Sequence, residues 1–152
     1  MLRPATLSDL QVVLSWVGSP RECQLWAGAR VRYPIELKAL AASIDFAHQG
    51  GFVLPQGEEA VAFGQIVMKA SRRAHLARLI VAPAHRGRGL GKSLVRELLE
   101  RAHGAGSRLA SLNVDPANAV AIGLYAKLGF TDAPRPADEP DPFGSRYLER
   151  PI

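Results

Sequence analysis

The chain has 152 residues, of which 47% are hydrophobic, and a formal net charge of +5 at pH 7. This length predicts a single domain, residues 1–152, and the apolar fraction excludes a wholly disordered chain. Cys23 is the only cysteine, so no intrachain disulfide forms, and no apolar run reaches the roughly 20 residues that cross a bilayer. The first residues also lack the pattern of a signal peptide, so we expect a soluble cytoplasmic protein without a membrane partner.

The first part of the chain predicts two helices. A capping-box pattern at Thr6 begins a helix whose apolar residues keep helical spacing up to Val17. A second helix is predicted from Pro34 to about His48, because proline suits the first helical position. Residues 21–33, between these helices, have no regular period.

The middle of the chain predicts a meander of strands and then a crossover. Three strand candidates, separated by short polar turns, cover residues 51–54, 60–68 and 75–81. A helix with one apolar stripe follows from Gly89 to about His103, and another strand runs from Arg108 to Val114. The order strand, helix, strand predicts a parallel crossover.

The last part of the chain predicts one more helix and one more strand. Asn118 is a good N-cap for a helix that ends at Leu128, before Gly129. A proline-rich acidic loop, 133–142, separates this helix from a last strand at 146–150.

Basic residues are concentrated in the middle of the chain. A solvated basic face, a nucleic-acid site and a site for a phosphorylated small ligand are all compatible with this charge. No Phe, Tyr or Trp occurs from residue 64 to 124, which favours the small ligand over nucleic acid, where bases stack on aromatic rings. The residues concerned are Lys69, Arg72, Arg73, Arg78, Arg86, Arg88, Lys92, Arg96, Arg101 and Arg108.

A glycine-rich basic turn lies between the strand that ends near Val81 and the next helix. Its sequence, Arg86-Gly-Arg-Gly-Leu-Gly-Lys92, places backbone N–H groups at a helix N-terminus, which is a site for phosphate. A Rossmann fingerprint fails because Lys92 stands where its last glycine is required. A Walker loop fails because Arg86 stands where its first glycine is required.

The pattern R/Q-x-x-G-x-G/A is satisfied by Arg86, Gly89 and Gly91. A second segment, from Leu112 to Phe130, ends in Leu-Tyr-Ala-Lys-Leu-Gly-Phe. With both segments in this order, residues 75–131 resemble the GNAT superfamily of acetyl-CoA-dependent N-acyltransferases.

The resemblance implies a fold and a cosubstrate. The fold would be α/β, a mixed central sheet of about six to seven strands with an antiparallel meander and a splayed parallel pair, flanked by about four helices. Acetyl-CoA would be bound by the turn, by the strand before it and by Asn118. The residues implied are Leu79, Ile80, Val81, Arg86, Gly87, Arg88, Gly89, Leu90, Gly91, Lys92 and Asn118.

The resemblance also implies two catalytic candidates. Tyr125 lies seven residues after Asn118, where the family has a tyrosine that faces the cofactor sulfur, so it is the candidate general acid. The same helical face also allows Tyr125 a purely structural role. His75 stands where some relatives carry a catalytic carboxylate, and its imidazole is the candidate base. Asn113 replaces the glutamate of one branch and cannot accept a proton.

Other bases stay open, namely Glu22, Asp45, Glu58 and a water chain. Three aromatic residues could line the acceptor pocket or belong to the core, namely Trp16, Trp26 and Tyr33. Four acidic residues could attract a cationic amine or form a solvated loop, namely Asp132, Asp138, Glu139 and Asp141.

These observations favour an acetyltransferase that acts on a small-molecule or peptide amine by direct attack in a ternary complex. A catalytically silent acyl-CoA-binding module and a nucleic-acid-binding domain are the alternatives. No nucleic-acid partner is expected. No metal is expected either, since His85 and Cys23 have no partner at metal spacing. A homodimer is among the oligomeric states left open.

Overall fold

The computed structural model describes residues 1–141 and 143–152, so Pro142, which ends the predicted acidic loop, lies outside the described residues. The described part forms a mixed seven-stranded sheet of order β1-β2-β3-β4-β5-β7-β6. The strands are β1 (Arg3–Pro4), β2 (Phe52–Gln56), β3 (Glu59–Lys69), β4 (Arg73–Val81), β5 (Leu109–Val114), β6 (Thr131–Asp132) and β7 (Arg146–Pro151). The helices are α1 (Leu7–Leu14), α2 (Pro20–Ala27), α3 (Leu37–Ser43), α4 (Phe46–Gln49), α5 (Leu90–Gly104) and α6 (Ala119–Lys127), with a 3₁₀ turn at Pro83–His85.

The sheet confirms the predicted fold class. β4 and β5 are parallel, joined by α5, whereas β1 with β2, β2 with β3, β5 with β7, and β6 with β7 are antiparallel. The parallel register runs from Arg73 opposite Leu109 to Leu76 opposite Leu112, and both strands continue beyond the last pair. β1 and β6 have two residues each, too few for a pattern to reveal.

The N-terminal region contains more helices than its pattern indicated. α2 lies in the stretch without a regular period, yet Ser19 caps it by accepting from the Glu22 backbone N–H at 3.1 Å, with Pro20 in the first turn. The signal was present as a Ser-x-x-Glu capping pattern. The predicted helix from Pro34 to His48 is divided into α3 and α4, because Asp45 has a φ of 50° and breaks the helical path.

Contacts between Cα atoms divide the chain into two compact units. The first unit contains residues 1–65 and 78–97, and the second contains residues 66–77 and 98–152. In the first unit, apolar side chains of α1, α2, α3 and the meander strands form a buried cluster that includes Leu10, Trp16, Leu40 and Phe63. Burial of such side chains contributes about 1.5 to 3 kcal/mol each relative to exposure.

The second unit has its own buried apolar side chains. They include Leu98 near the middle of α5, Leu112 of β5, Phe130 after α6 and Leu148 of β7. In α5 the predicted apolar stripe is confirmed, since Leu94, Val95, Leu98, Leu99 and Ala102 are all buried. None of the helices in the described residues combines the length and the apolar character that a membrane span requires.

The start of α1 carries a charged cap. Arg3 donates to both carboxylate oxygens of Asp9, at 2.6 and 2.9 Å, and Thr6 completes the predicted capping box. The Arg3 hydrogen bonds are the largest cause of a lowered Asp9 pKa, about 2 instead of 3.8, opposed by burial and helped by the Thr6 backbone N–H.

We expect Asp9→Asn to lower the free energy of unfolding by about 1 kcal/mol at pH 7, after discounting the pKa shift because the Arg3 side chain is 41% exposed. The folded-state pKa is depressed, so this stability is present above pH 4 and is lost as the pH falls towards 2. Urea unfolding of both proteins at pH 7, 4 and 2.5 tests this. The exposed Asp132 is the matched control, and Asp132→Asn should have no measurable effect.

Candidate active site

The glycine-rich turn has the backbone conformation that an anion site needs. Gly87 and Gly89 have φ values of 76° and 78°, in the left-handed region that side chains disfavour. A Cβ built on either glycine meets nothing within 4 Å, so the space above both residues is open. α5 starts at Leu90 directly after them, and the Gly89 carbonyl accepts from the Ser93 N–H at 3.2 Å. Backbone N–H groups of the first helical turn therefore have no partner within the helix and can bind an anion.

The basic side chains of the turn have different roles. Arg86 folds back, and its Nε donates to the Val81 carbonyl at 3.1 Å, which closes the end of β4. Arg88 and Lys92 are exposed, so their charges face solvent. All three side chains therefore contribute positive potential beside the helix N-terminus, and Arg86 is also hydrogen-bonded to the backbone at the end of β4.

β4 contains a local irregularity before its last residues. Arg78 has a φ of 52°, an unusual value for a side-chain-bearing residue within a strand. Its carbonyl accepts from the Trp26 indole N–H at 2.9 Å, and its Nη1 donates to Gln65 Oε1 at 2.9 Å. Trp26 is therefore a support for β4, and its ring packs edge-on against Phe63 with centroids 6.2 Å apart. The fixed Arg78 determines how Leu79, Ile80 and Val81 present their backbone groups.

α6 carries the two candidates of the second motif. Asn118 caps the helix, and its Oδ1 accepts from the Ala121 N–H at 3.1 Å. Tyr125 is buried, with 8% of its surface exposed, and its ring lies edge-on to Phe130 with centroids 6.0 Å apart. Burial raises the pKa of Tyr125 to about 12, so its phenol keeps its proton at every physiological pH.

His75 lies inside a polar cluster of the second unit. It is 6% exposed. Its Nδ1 lies 2.8 Å from Ser111 Oγ, and its Nε2 lies 3.3 Å from Glu139 Oε2 and 3.5 Å from Asn113 Nδ2. Ser111 faces His75 because these residues are register partners in the parallel pair β4–β5.

A model of the acetyltransferase (GNAT) family matches residues 19–130 of the chain. The chain belongs to this family. The match contains both the glycine-rich turn and the segment ending at Phe130, the two segments on which the resemblance was based.

Similar GNAT proteins include one curated relative and two solved structures of interest. Mycothiol acetyltransferase from Corynebacterium glutamicum is 31% identical over 119 residues, which cover 78% of this chain and 41% of that protein. Spermidine N-acetyltransferase from Vibrio cholerae, in complex with CoA and spermine, has a TM-score of 0.77 at 19% identity, with 99% of this chain and 94% of that chain covered. The ribosomal-protein-S18-alanine N-acetyltransferase from Escherichia coli has a TM-score of 0.72 at 26% identity, with 100% and 93% covered. The chain thus spans about two fifths of the length of the curated relative, and nearly the full length of these structures.

The three weaker candidates for the base are exposed residues. Glu22 accepts from the Gly18 N–H at 2.6 Å next to α2, Asp45 pairs with the exposed His48 at 2.7 Å, and Glu58 lies in an exposed turn. Trp16 belongs to the core of the first unit, whereas Tyr33 is 39% exposed. No group of three or more His, Cys, Asp or Glu side chains suited to a metal occurs among the described residues.

The acidic loop contains a buried residue that its sequence concealed. Glu139 is 6% exposed, so of the two roles left open for the acidic residues, that of a solvated loop is wrong for Glu139. Lys69 Nζ lies 3.0 Å from its Oε1, and Arg73 Nη2 lies 2.6 Å from Asp138 Oδ1. Asp132, by contrast, is exposed and pairs with Arg146 at 2.6 Å. Composition alone gives no signal that separates Glu139 from its acidic neighbours.

Proposed function

We propose that this GNAT chain transfers the acetyl group of acetyl-CoA to a primary amine, by direct attack in a ternary complex. The observation that carries the proposal is the turn Arg86–Lys92. Its two left-handed glycines leave open space in front of a helix N-terminus, inside a segment that matches the family. A pyrophosphate must come close to the backbone N–H groups that bind it, and only small residues leave room for this. The geometry of the turn therefore fits a pyrophosphate.

Each predicted residue has a role in this proposal. Backbone N–H groups from Gly87 to Lys92 hold the pyrophosphate, and Arg88 adds charge. Asn118 contributes at the α6 N-terminus. Backbone groups of Leu79, Ile80 and Val81 align the acyl arm, and one N–H donor polarises the thioester carbonyl, which is typically worth about 3 to 4 kcal/mol.

The chemistry needs a proton acceptor for the amine and a donor that stabilises the leaving sulfur. The amine nitrogen attacks the carbonyl carbon, His75 takes the proton from nitrogen, and the carbon–sulfur bond breaks with sulfur leaving as the thiolate, to which the Tyr125 hydroxyl donates a hydrogen bond. A phenol with a pKa of about 12 is a weak acid towards a thiolate whose conjugate acid has a pKa near 8.5. Tyr125 therefore acts mainly as a hydrogen-bond donor that stabilises the charge developing on sulfur.

We favour a small-molecule acceptor over a peptide. The similar proteins include an enzyme named for mycothiol and one named for glucosamine 6-phosphate, the latter 37% identical over 68 residues. A cytoplasmic location and a homodimer belong to the same proposal. The buried Cys23, whose thiol pKa is raised by burial, is compatible with a reducing compartment.

The test is to incubate the protein with acetyl-CoA and a panel of small amines, amino acids, polyamines and peptides, and to measure released thiol. We expect amine-dependent thiol release with at least one acceptor class. The alternative, a silent acyl-CoA-binding module, is favoured by Asn113, which cannot serve as a base. It predicts calorimetric binding of CoA without release for every amine. Absence of both binding and release would contradict both functions.

A further inference from the structure

The polar cluster of the second unit, here Arg73, His75, Ser111, Asn113 and Glu139, is built around one imidazole. Except for Asn113, all of its members are buried, with exposures between 0% and 6%. Buried charges are costly unless they are paired and hydrogen-bonded. Glu139 comes from the loop between β6 and β7 and lies against side chains of β4, so the loop brings a carboxylate to His75 that the strands do not provide.

The partners of Ser111 and Asn113 limit which hydrogen atoms His75 carries. Arg73 Nη1 donates to Ser111 Oγ at 2.7 Å, so the Ser111 hydroxyl hydrogen is left to be donated, and its acceptors are a neutral Nδ1 at 2.8 Å and the Tyr147 phenol oxygen. Arg135 donates to Asn113 Oδ1 at 2.7 Å, which turns the Asn113 amide NH₂ group towards His75. Glu139 Oε2 is an acceptor 3.3 Å from Nε2. The Glu139 carboxylate favours a hydrogen on Nε2, whereas the Asn113 amide donor disfavours it. Because the interaction with an ionised carboxylate is the stronger of the two, we assign the hydrogen of the neutral ring to Nε2.

The same cluster also accommodates the protonated ring. Both N–H groups of an imidazolium then have acceptors, Ser111 Oγ after rotation of its hydroxyl and Glu139 Oε2. Around them, Lys69 and Arg73 lie 3.0 and 3.7 Å from Glu139 Oε1, and Asp138 and Asp141 pair with Arg73 and Arg135. From β7, Tyr147 contributes a neutral phenol whose pKa is raised by burial and whose hydroxyl donates to Glu149 at 2.7 Å. Glu139 is thus the carboxylate that compensates an imidazolium at position 75.

We propose that Glu139 is a positioning residue for His75. Its carboxylate holds Nε2–H and stabilises the imidazolium that forms when the amine proton passes to Ser111 Oγ and the Ser111 hydroxyl hydrogen moves to His75 Nδ1. This proposal rests on the acetyl transfer proposed above, in which His75 is the base. Glu139 itself touches no reacting atom and acts through the orientation and charge of the ring. Neutral His75 is the active form, so the rate rises with pH through the titration of His75.

The test compares the pH profile of kcat for the wild type, Glu139→Gln and Asp138→Asn. Loss of the carboxylate beside His75 should move the profile midpoint to lower pH by about one unit and reduce the plateau about tenfold. Asp138→Asn removes the same charge from the neighbouring residue, whose side chain is 45% exposed and pairs with Arg73, and should leave the midpoint within about 0.3 units. Glu139→Asp keeps the charge, so the midpoint of its pH profile should lie close to that of the wild type.

A measurement that does not depend on turnover tests the role of Glu139 separately from the proposed acetyl transfer. Long-range ¹H–¹⁵N NMR spectra report the tautomer and the titration of each of the four histidines, and His75→Gln identifies the signal of residue 75. We expect Nε2–H in the neutral ring and a lower titration midpoint in Glu139→Gln. An active wild type whose midpoint is unchanged in Glu139→Gln, by kinetics and by NMR, overturns the role of Glu139 and leaves acetyl transfer intact. A wild type that transfers acetyl to no amine overturns the proposed function and the role with it.

Discussion

Tyr125→Phe should lower kcat about 100-fold and leave the affinity for CoA within about threefold of the wild type. The substitution removes only the donor that stabilises charge on the leaving sulfur. The Tyr125 hydroxyl has no hydrogen-bond partner among the described residues, and the ring is held by packing against Phe130. Phenylalanine keeps that packing, so the free energy of unfolding should be unchanged or slightly higher. Steady-state kinetics, calorimetry with CoA and urea unfolding together test these three expectations.

The pH dependence of the rate provides a second test of the role of Tyr125. A phenol with a folded-state pKa of about 12 loses its proton only above pH 10, so the wild-type rate should have no alkaline limb from Tyr125 below that pH. Tyr33→Phe is the control for the loss of a phenol outside the two family segments, since Tyr33 is 39% exposed, and its kcat should fall far less than that of Tyr125→Phe. Equal kcat values for Tyr125→Phe and the wild type would remove Tyr125 from the chemistry.

Gly91→Glu should reduce the affinity for CoA at least about 100-fold without destabilising the fold. Gly91 lies in the first turn of α5, where a carboxylate favours the helix dipole and any side chain raises helix propensity over glycine. The free energy of unfolding should therefore stay level or rise by up to about 1 kcal/mol. The same carboxylate would occupy the position of the pyrophosphate and repel its negative charge. The affinity for CoA should therefore fall while the free energy of unfolding stays level or rises.

Gly104→Glu is the control for Gly91→Glu. Gly104 ends the same helix, is exposed and has nothing within 4 Å of a built Cβ, so the variant adds an equal charge away from the turn. Its affinity for CoA should match that of the wild type in calorimetry. Equal affinities for both glutamate variants would show that the turn does not hold the pyrophosphate.

The features that could be predicted from sequence are local ones. The stripe of α5 and the capping box at Thr6 depend on residues three or four positions apart, and both were found as predicted. The glycine-rich turn is also local, since two left-handed glycines and a helix start lie within a few residues. The family resemblance then supplied the fold class, a mixed sheet of about six to seven strands, whereas the order of the strands came from the structure alone.

The features that were missed depend on contacts between distant parts of the chain. Glu139 and Asp132 are both acidic residues of the C-terminal region, and they differ in which side chains contact them in the folded protein. His75 and Glu139 are far apart along the chain, so no local pattern predicts their contact. The division of the predicted second helix depends on the left-handed Asp45, a residue type that tolerates helical conformation as well. Register brought Ser111 to His75, and sequence reasoning had assigned it no role.

The central claim, that backbone N–H groups of the turn hold the pyrophosphate of acetyl-CoA, is tested most directly by amide NMR during a titration with CoA. We predict saturable shifts that are largest at Gly87, Gly89, Gly91 and Lys92, with smaller shifts at Leu79 to Val81. The absence of saturable shifts, or largest shifts confined to amides far from the turn, would contradict the account.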